Sequence, residues 1–137
     1  MQYTSNILMI RPASFRMNEE TAVNNYFQNE TQLDPRMVVG AAQREFDEFV
    51  ALLRANGVNV IVVEDIQEND TPDALFPNNW ISMHEDGKVG LYPMFAENRR
   101  RERREDILNV LEENGFEISE VIDYSSAEEE EVFLEGT

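Results

Sequence analysis

The sequence predicts an α/β protein assembled from repeated strand-and-helix units, and three observations carry that prediction. Short apolar or β-branched runs alternate with longer segments in which apolar residues recur every three or four positions. Two of those helical segments end in the same dipeptide, Asn56-Gly57 and Asn114-Gly115, and a strand-like run follows each. Finally, Leu53-Arg-Ala-Asn56-Gly57-Val58-Asn-Val60 matches Leu111-Glu-Glu-Asn114-Gly115-Phe116-Glu-Ile118 at a constant offset of 58. With one residue deleted, Phe76-Pro77-Asn78 falls on Phe133-Leu134-Glu135. A period of about 60 residues points to supersecondary units arrayed about an axis, each adding a polar group to one shared site.

Taken in order, Asn6 to Ile10 is a short strand, apolar on both faces and stopped by Arg11-Pro12. A long polar segment follows from 13 to 33. Its middle, Glu19 to Gln28, fits either a helical turn or two or an ordered loop. Asp34-Pro35 is a helix start, with an acidic cap and a proline at the first helical position. From there Val38, Val39, Ala42, Phe46, Phe49, Val50 and Leu53 form one apolar face. Val58 to Val63 is a buried strand by its β-branching. Trp80 to His84 and Lys88 to Tyr92 flank Glu85-Asp86-Gly87 as a β-hairpin. A second helix over 98–113 turns Ile107, Leu108 and Leu111 inward, and Phe116 to Ile122 is the strand after it. Glu128 to Glu131 is expected as a solvated acidic loop, before Val132 to Thr137.

Composition narrows the function classes. The chain has 137 residues, enough for one domain. A hydrophobic content of 42% excludes wholesale disorder. With 28 acidic against 11 basic residues the net charge is −17, which repels polyanions and argues against nucleic acid or an acidic membrane as partner. The absence of cysteine leaves no disulfide, thiolate metal site or thiol nucleophile within these residues. No apolar run reaches the ~20 residues of a membrane span, and no basic-then-apolar leader opens the chain. A cytoplasmic protein is the default expectation. No metal or cofactor is expected, since no spaced Asp/Asn loop suits a divalent ion.

Thr71 to Trp80 concentrates the polar chemistry. Asp73, Asn78 and Asn79 are short hydrogen-bonding groups, Phe76 and Trp80 supply an apolar wall, and Pro72 and Pro77 restrict the backbone between them. That combination suits a small polar ligand; a polar loop capping a strand is the simpler alternative. Asn18, Asn24, Asn25 and Gln28 are equally suited to covering such a pocket or to capping turns. His84 reads as an ordinary surface histidine. Five arginines lie between Arg99 and Arg104, and ion pairing with Glu97, Glu102 and Glu105 accounts for Arg100 to Arg104.

Several of these segments resemble the pentein superfamily of guanidine-modifying enzymes. The likeness is carried by Arg11-Pro12-Ala-Ser-Phe15, Glu20-Thr21-Ala22-Val-Asn24-Asn25-Tyr-Phe27-Gln28 and Phe76-Pro77-Asn78-Asn79-Trp80. Leu91-Tyr92-Pro93-Met94 with Asn98-Arg99-Arg100, and Phe133-Leu134-Glu135-Gly136-Thr137, complete it. It is closest to the bacterial citrulline-hydrolase branch. The resemblance implies an α/β-propeller of five ββαβ units around a narrow channel. About two units would be present here, roughly 1–64 and 65–124, with a third begun at 132–137. It implies a cysteine nucleophile acting on the guanidinium or ureido carbon, a histidine as general acid and base, and a carboxylate orienting that histidine.

By position, Glu135 resembles the orienting acid. Asp73 resembles the carboxylate that holds the substrate's nitrogens, and Arg99 the fork that clamps its α-carboxylate. Asn79 stands where many relatives have a second Asp, and Asn78 where some have an acid. An amide in place of the second carboxylate suits a neutral ureido group better than a guanidinium, so the expected substrate is citrulline, converted to ornithine. The expectation is therefore the N-terminal part of a hydrolase, inactive by itself, with a small amino acid as ligand and a homo-oligomer as a further expectation, the open sheet edge being where the alternative below would bind a partner chain. The alternative is a non-catalytic repeat module that binds a small amino acid or a partner chain.

Overall fold

The computed structural model describes residues 4–22 and 34–134. It is a mixed α/β structure divided into two compact units, Met1–Leu75 and Phe76–Thr137.

The first unit joins β1 (Asn6–Arg11) and β2 (Asn59–Glu64) in parallel, with helix α1 (Pro35–Ala55) in the connection. Parallel neighbours need such a crossover, because a tight turn can only reverse the chain. The pairing sets Ile7 opposite Val60 and Met9 opposite Val62, and these four side chains pack with Phe46, Val50 and Leu53 of α1. Alternation turns Ile10, Ile61 and Val63 to the other face, where they are buried too. Both faces being covered explains why these strands read as unbroken apolar runs. Helix α1 begins as the sequence predicts, with the Asp34 carboxylate accepting from the Arg36 N–H at 2.9 Å. One expected core residue is wrong: Phe49 is 51% exposed. The buried line runs through Phe46 and Val50, and Phe49 sits a further helical step around from it.

Helix α1 ends at Asn56-Gly57 by a Schellman closure. Val58 N–H donates to the Leu53 carbonyl at 3.1 Å and Gly57 N–H to that of Arg54 at 3.1 Å, with Gly57 at φ +83°. The second unit repeats this closure at Asn114-Gly115. There Phe116 N–H reaches the Leu111 carbonyl and Gly115 N–H that of Glu112, both at 3.0 Å. Even the side chains correspond: Asn56 and Asn114 each donate through Nδ2 to the carbonyl four residues back, at 2.8 Å.

The second unit has a three-stranded sheet in the order β3 (Ile81–Met83), β4 (Lys88–Leu91), β5 (Glu120–Asp123), antiparallel at the first pairing and parallel at the second. The predicted hairpin is present, closed by Gly87 N–H to the His84 carbonyl at 3.0 Å. Gly87 has φ +80°, and a Cβ there would lie 2.5 Å from the Glu117 carbonyl oxygen. The chain entering β5 therefore docks against the hairpin tip, and Ser119 N–H donates to the Gly87 carbonyl at 2.9 Å. That docking shortens the expected strand 116–122, whose first residues lie flat on the turn instead of pairing.

The expected continuous helix over 98–113 is two helices, α2 (Glu97–Arg100) and α3 (Glu105–Glu113). Arg104 between them is extended, at φ −101° and ψ 128°. The break removes an electrostatic conflict. Within one helix the arginines would crowd the positive end of the dipole; as built, Arg99 and Arg100 close α2, and Glu105 and Asp106 open α3. Restarting the helix also aims Ile107 and Leu111 into the interior, where both are 1% exposed. With Trp80, Ile81, Val89 and Met94 they are the large buried apolar residues among those described in this unit, each such side chain contributing about 1.5–3 kcal/mol.

Two stability predictions follow from these contacts. Gly57→Ala meets nothing within 4 Å and carries only the left-handed backbone strain, about 1 kcal/mol, whereas Gly87→Ala must also displace the Glu117 backbone and should cost at least twice that in urea unfolding. In the first unit the Arg11 guanidinium grips Asp47 through two hydrogen bonds, at 2.7 and 2.9 Å. This holds the Asp47 carboxyl below the usual carboxylate range, through the hydrogen bond first and the Arg11 charge after it. A depressed folded-state pKa stabilises above the unfolded value and the benefit is lost as pH falls through the folded one. Asp47→Asn should therefore lower the melting temperature at neutral pH, and the difference from the unsubstituted protein should shrink as the pH is brought down through and below the usual carboxylate range.

Candidate functional site

Pro77 opens a single 3-10 turn, Pro77–Asn79, whose missing N–H costs nothing at a helix start. The turn leaves Asn78 exposed and Asn79 half-buried, and delivers the chain to Trp80. Trp80 is 1% exposed, and its indole N–H has no hydrogen-bond partner among the described residues. Phe76 is 45% exposed, so of the two aromatics expected as an apolar wall only Trp80 is buried.

Arg99 comes from the last turn of α2 and is 4% exposed. Its Nε and Nη2 donate to the two carboxylate oxygens of Glu102, each at 3.0 Å, and Glu102 is equally buried. Nη1 donates to Asn79 Oδ1 at 2.9 Å, and Nη2 also donates to the Phe76 carbonyl at 3.2 Å. The second unit thus gathers Asn79, Arg99 and Glu102 into one buried network. A buried ion must be paired, and the planar fork against a carboxylate is the geometry in which pairing is strongest. The sequence expects Glu102 to pair with Arg100 to Arg104, whereas the structure pairs it with Arg99, three residues before it.

Asp73 lies in the first unit and is buried. Its Oδ2 accepts from Asn18 Nδ2 at 2.7 Å and from the Thr21 hydroxyl at 3.3 Å. Asn18 is fully buried and also takes the Glu20 N–H on its Oδ1 at 3.1 Å. It therefore combines the turn-capping role that the sequence suggests with direct support of Asp73. A buried carboxylate held by two donors of one segment is a fixed acceptor rather than a wandering one.

Glu135 lies outside the described residues, as do Asn24, Asn25 and Gln28. His84 is exposed, and its Nε2 lies 3.0 Å from the Ser82 hydroxyl, which in turn lies 2.7 Å from the Tyr92 hydroxyl. The acidic run is not uniformly solvated. Glu128 is partly buried, accepting from the Met94 N–H at 2.7 Å and from Arg103 Nη2 at 3.0 Å, with Arg103 Nη1 2.7 Å from its other oxygen. The first unit carries an open cleft of about 490 Å³ between the 13–16 loop and the start of α1. None of Asp73, Asn78, Asn79 or Arg99 lines it. Among the described residues no cluster of three or more His, Cys, Asp or Glu suits a metal ion, and no helix is long and apolar enough to cross a membrane.

A family model described as N,N dimethylarginine dimethylhydrolase, eukaryotic, matches residues 11–137. None of the curated proteins or solved structures compared with the chain matches it.

Asn18→Ala strips the buried Asp73 carboxylate of its shorter bond and should destabilise the first unit by about 1–3 kcal/mol in urea unfolding. Asn18→Asp, which places a second anion against the first, should cost more than the alanine.

Proposed function

The chain belongs to the N,N-dimethylarginine dimethylhydrolase family, within the pentein superfamily, and from that premise we propose that it carries the substrate-binding part of a thiol-dependent hydrolase acting on citrulline. The family is one of hydrolases that act on carbon–nitrogen bonds of small guanidino amino acids. Narrowing that class to citrulline rests on the amide at position 79. A guanidinium is a cation and is best met by two carboxylates in a dry pocket. A ureido group is neutral, and a second buried anion beside it would have no counter-charge in the ligand. The resemblance gives Asp73 the role of acceptor for the ureido N–H groups, and gives Asn78 and Asn79 that of uncharged contacts.

The chemistry is attack of a thiolate on the ureido carbon, cleavage of that carbon's bond to the δ-nitrogen so that protonated ornithine leaves an S-carbamoyl thiol, and attack by water that frees the thiol and carbamate, which breaks down to ammonia and carbon dioxide. The nucleophile would come from polypeptide outside these 137 residues, which contain no cysteine. A histidine outside them would shuttle the proton, oriented by Glu135. The resemblance gives Arg99 the substrate's α-carboxylate. Its engagement with Glu102, Asn79 and the Phe76 carbonyl supports the positioning of Asn79 as its first task. The two closures at Asn56-Gly57 and Asn114-Gly115, and the strand pair, helix and strand of the second unit, support successive propeller modules.

Turnover of citrulline to ornithine, compared with turnover of arginine and dimethylarginine to citrulline with loss of ammonia or dimethylamine, by the gene product that carries this chain tests the assignment. Citrulline should be the fastest; faster turnover of either guanidino compound overturns it. Citrulline binding without ornithine would instead favour the non-catalytic module. Asn79→Asp should lower kcat/KM for citrulline by about 10–100-fold and raise it for dimethylarginine, as measured in parallel steady-state assays.

A further inference from the structure

We infer that the open cleft of the first unit is a second ligand site, one for a small carboxylate that carries an apolar chain. The cleft holds about 490 Å³ between the 13–16 loop and the start of α1, a size ordinary for small-molecule sites. None of the residues proposed for citrulline lines it, so the inference is independent of that substrate.

The walls of the cleft are tied in place. Gln43 Nε2 of α1 donates to the Pro12 carbonyl at 2.8 Å, which anchors the loop to the helix. Arg16 forks onto Asp70, at 2.6 and 3.1 Å, which anchors the same loop to the turn after β2. The Ala13 N–H also reaches Asp65 Oδ2 at 3.3 Å. A site already held in shape avoids the cost of ordering itself around a ligand.

Charge selects the class of ligand. Arg16 and Asp70 neutralise each other, so the free charge in the lining belongs to Arg36. The Arg36 side chain is exposed, and no described residue pairs with it. In a chain of net charge −17, an arginine left unpaired beside a cleft is a local exception whose field is short-ranged. A polyanion would still be repelled by the acidic surroundings, whereas a single carboxylate seated in the cleft can take the guanidinium fork. Phe15, Pro35 and Val39 offer apolar surface to the rest of the molecule, which inorganic phosphate could not use.

Gly40 supplies a separate sign. It lies inside the 21-residue α1, where glycine weakens the helix relative to alanine, and it lines the cleft. No crowding requires it, since a Cβ there would meet only Arg44 Nη1, at 3.7 Å, an ordinary contact. No left-handed turn requires it either, because Gly40 is not among the glycines of positive φ. What the missing side chain provides is a bare stretch of wall one helical turn from Arg36. Arg44, one turn further on and also unpaired among the described residues, brings a second guanidinium to the same edge.

The test titrates hexanoate, hexylamine and inorganic phosphate against the gene product that carries this chain, followed through the backbone amide resonances of Val39 and Gln43. Hexanoate should bind with a Kd on the order of 1 mM, and the other two at least about 10-fold more weakly. Arg36→Gln should weaken hexanoate about 10-fold without moving the melting temperature, because no described residue depends on that guanidinium. Gly40→Leu should hold the melting temperature or raise it by roughly 2–4 °C while abolishing hexanoate binding, since the new side chain occupies the cleft. Hexanoate binding that survives either substitution, equal binding of phosphate or hexylamine, or no hexanoate binding up to about 20 mM overturns the inference. If Gly40→Leu folds poorly, Arg36→Gln decides alone. The readout involves no turnover, so the result stands whether or not citrulline proves to be the substrate.

Discussion

The buried ion pair between Arg99 and Glu102 constrains the second unit more than any other contact. Two charges removed from water must satisfy each other, and at i, i+3 they do so only if the backbone between them turns tightly. The one-turn helix α2 supplies that turn, and Glu102 follows it at once. The chain then straightens at Arg104 before α3 begins. Breaking the helix here is therefore no defect in the apolar pattern. It lets one arginine be solvated internally by Glu102, Asn79 and the Phe76 carbonyl, while Ile107 and Leu111 still reach the interior.

A similar logic operates in the first unit with smaller charges. Asp73 is buried among groups that donate to it, and Asn18 is the closest of those named. Both units spend polar residues on holding another polar residue still. Such second-layer support is what turns a hydrogen-bonding side chain into a selective one, since an acceptor that can rotate discriminates little. The remaining arginines serve elsewhere: Arg103 and Arg100 reach Glu128, and Arg100 lies over the Phe133 ring at 5.9 Å. Within the arginine cluster Arg99 is buried against Glu102, Arg100 and Arg103 meet the partly buried Glu128, and Arg104 pairs with the exposed Asp106.

Much of the local structure was legible from residue types. Asp34-Pro35 can start a helix because of its own side chain and ring, and Asn-Gly can end one because glycine alone enters the left-handed region freely. The hairpin at Glu85-Asp86-Gly87 and both strands of the first unit follow from equally short-range rules. The failures came where distant residues compete. Phe49 has the spacing of a core residue, yet no described residue covers enough of it to bury it. The strand before β5 has the right composition, but the Gly87 turn already occupies its path.

What the sequence determined by itself was thus the class of the fold, the caps and turns, and the family, because each depends on residue identity over short spans or on motifs in order. What only the tertiary structure decided was which charged and polar residues go inside. Nothing in the residues around Glu102 distinguishes it from its exposed neighbours until the fold buries Arg99 beside it. Burial of a charge is a property of the assembled environment, set by which counter-groups the fold brings within about 3 Å, and no local pattern encodes it.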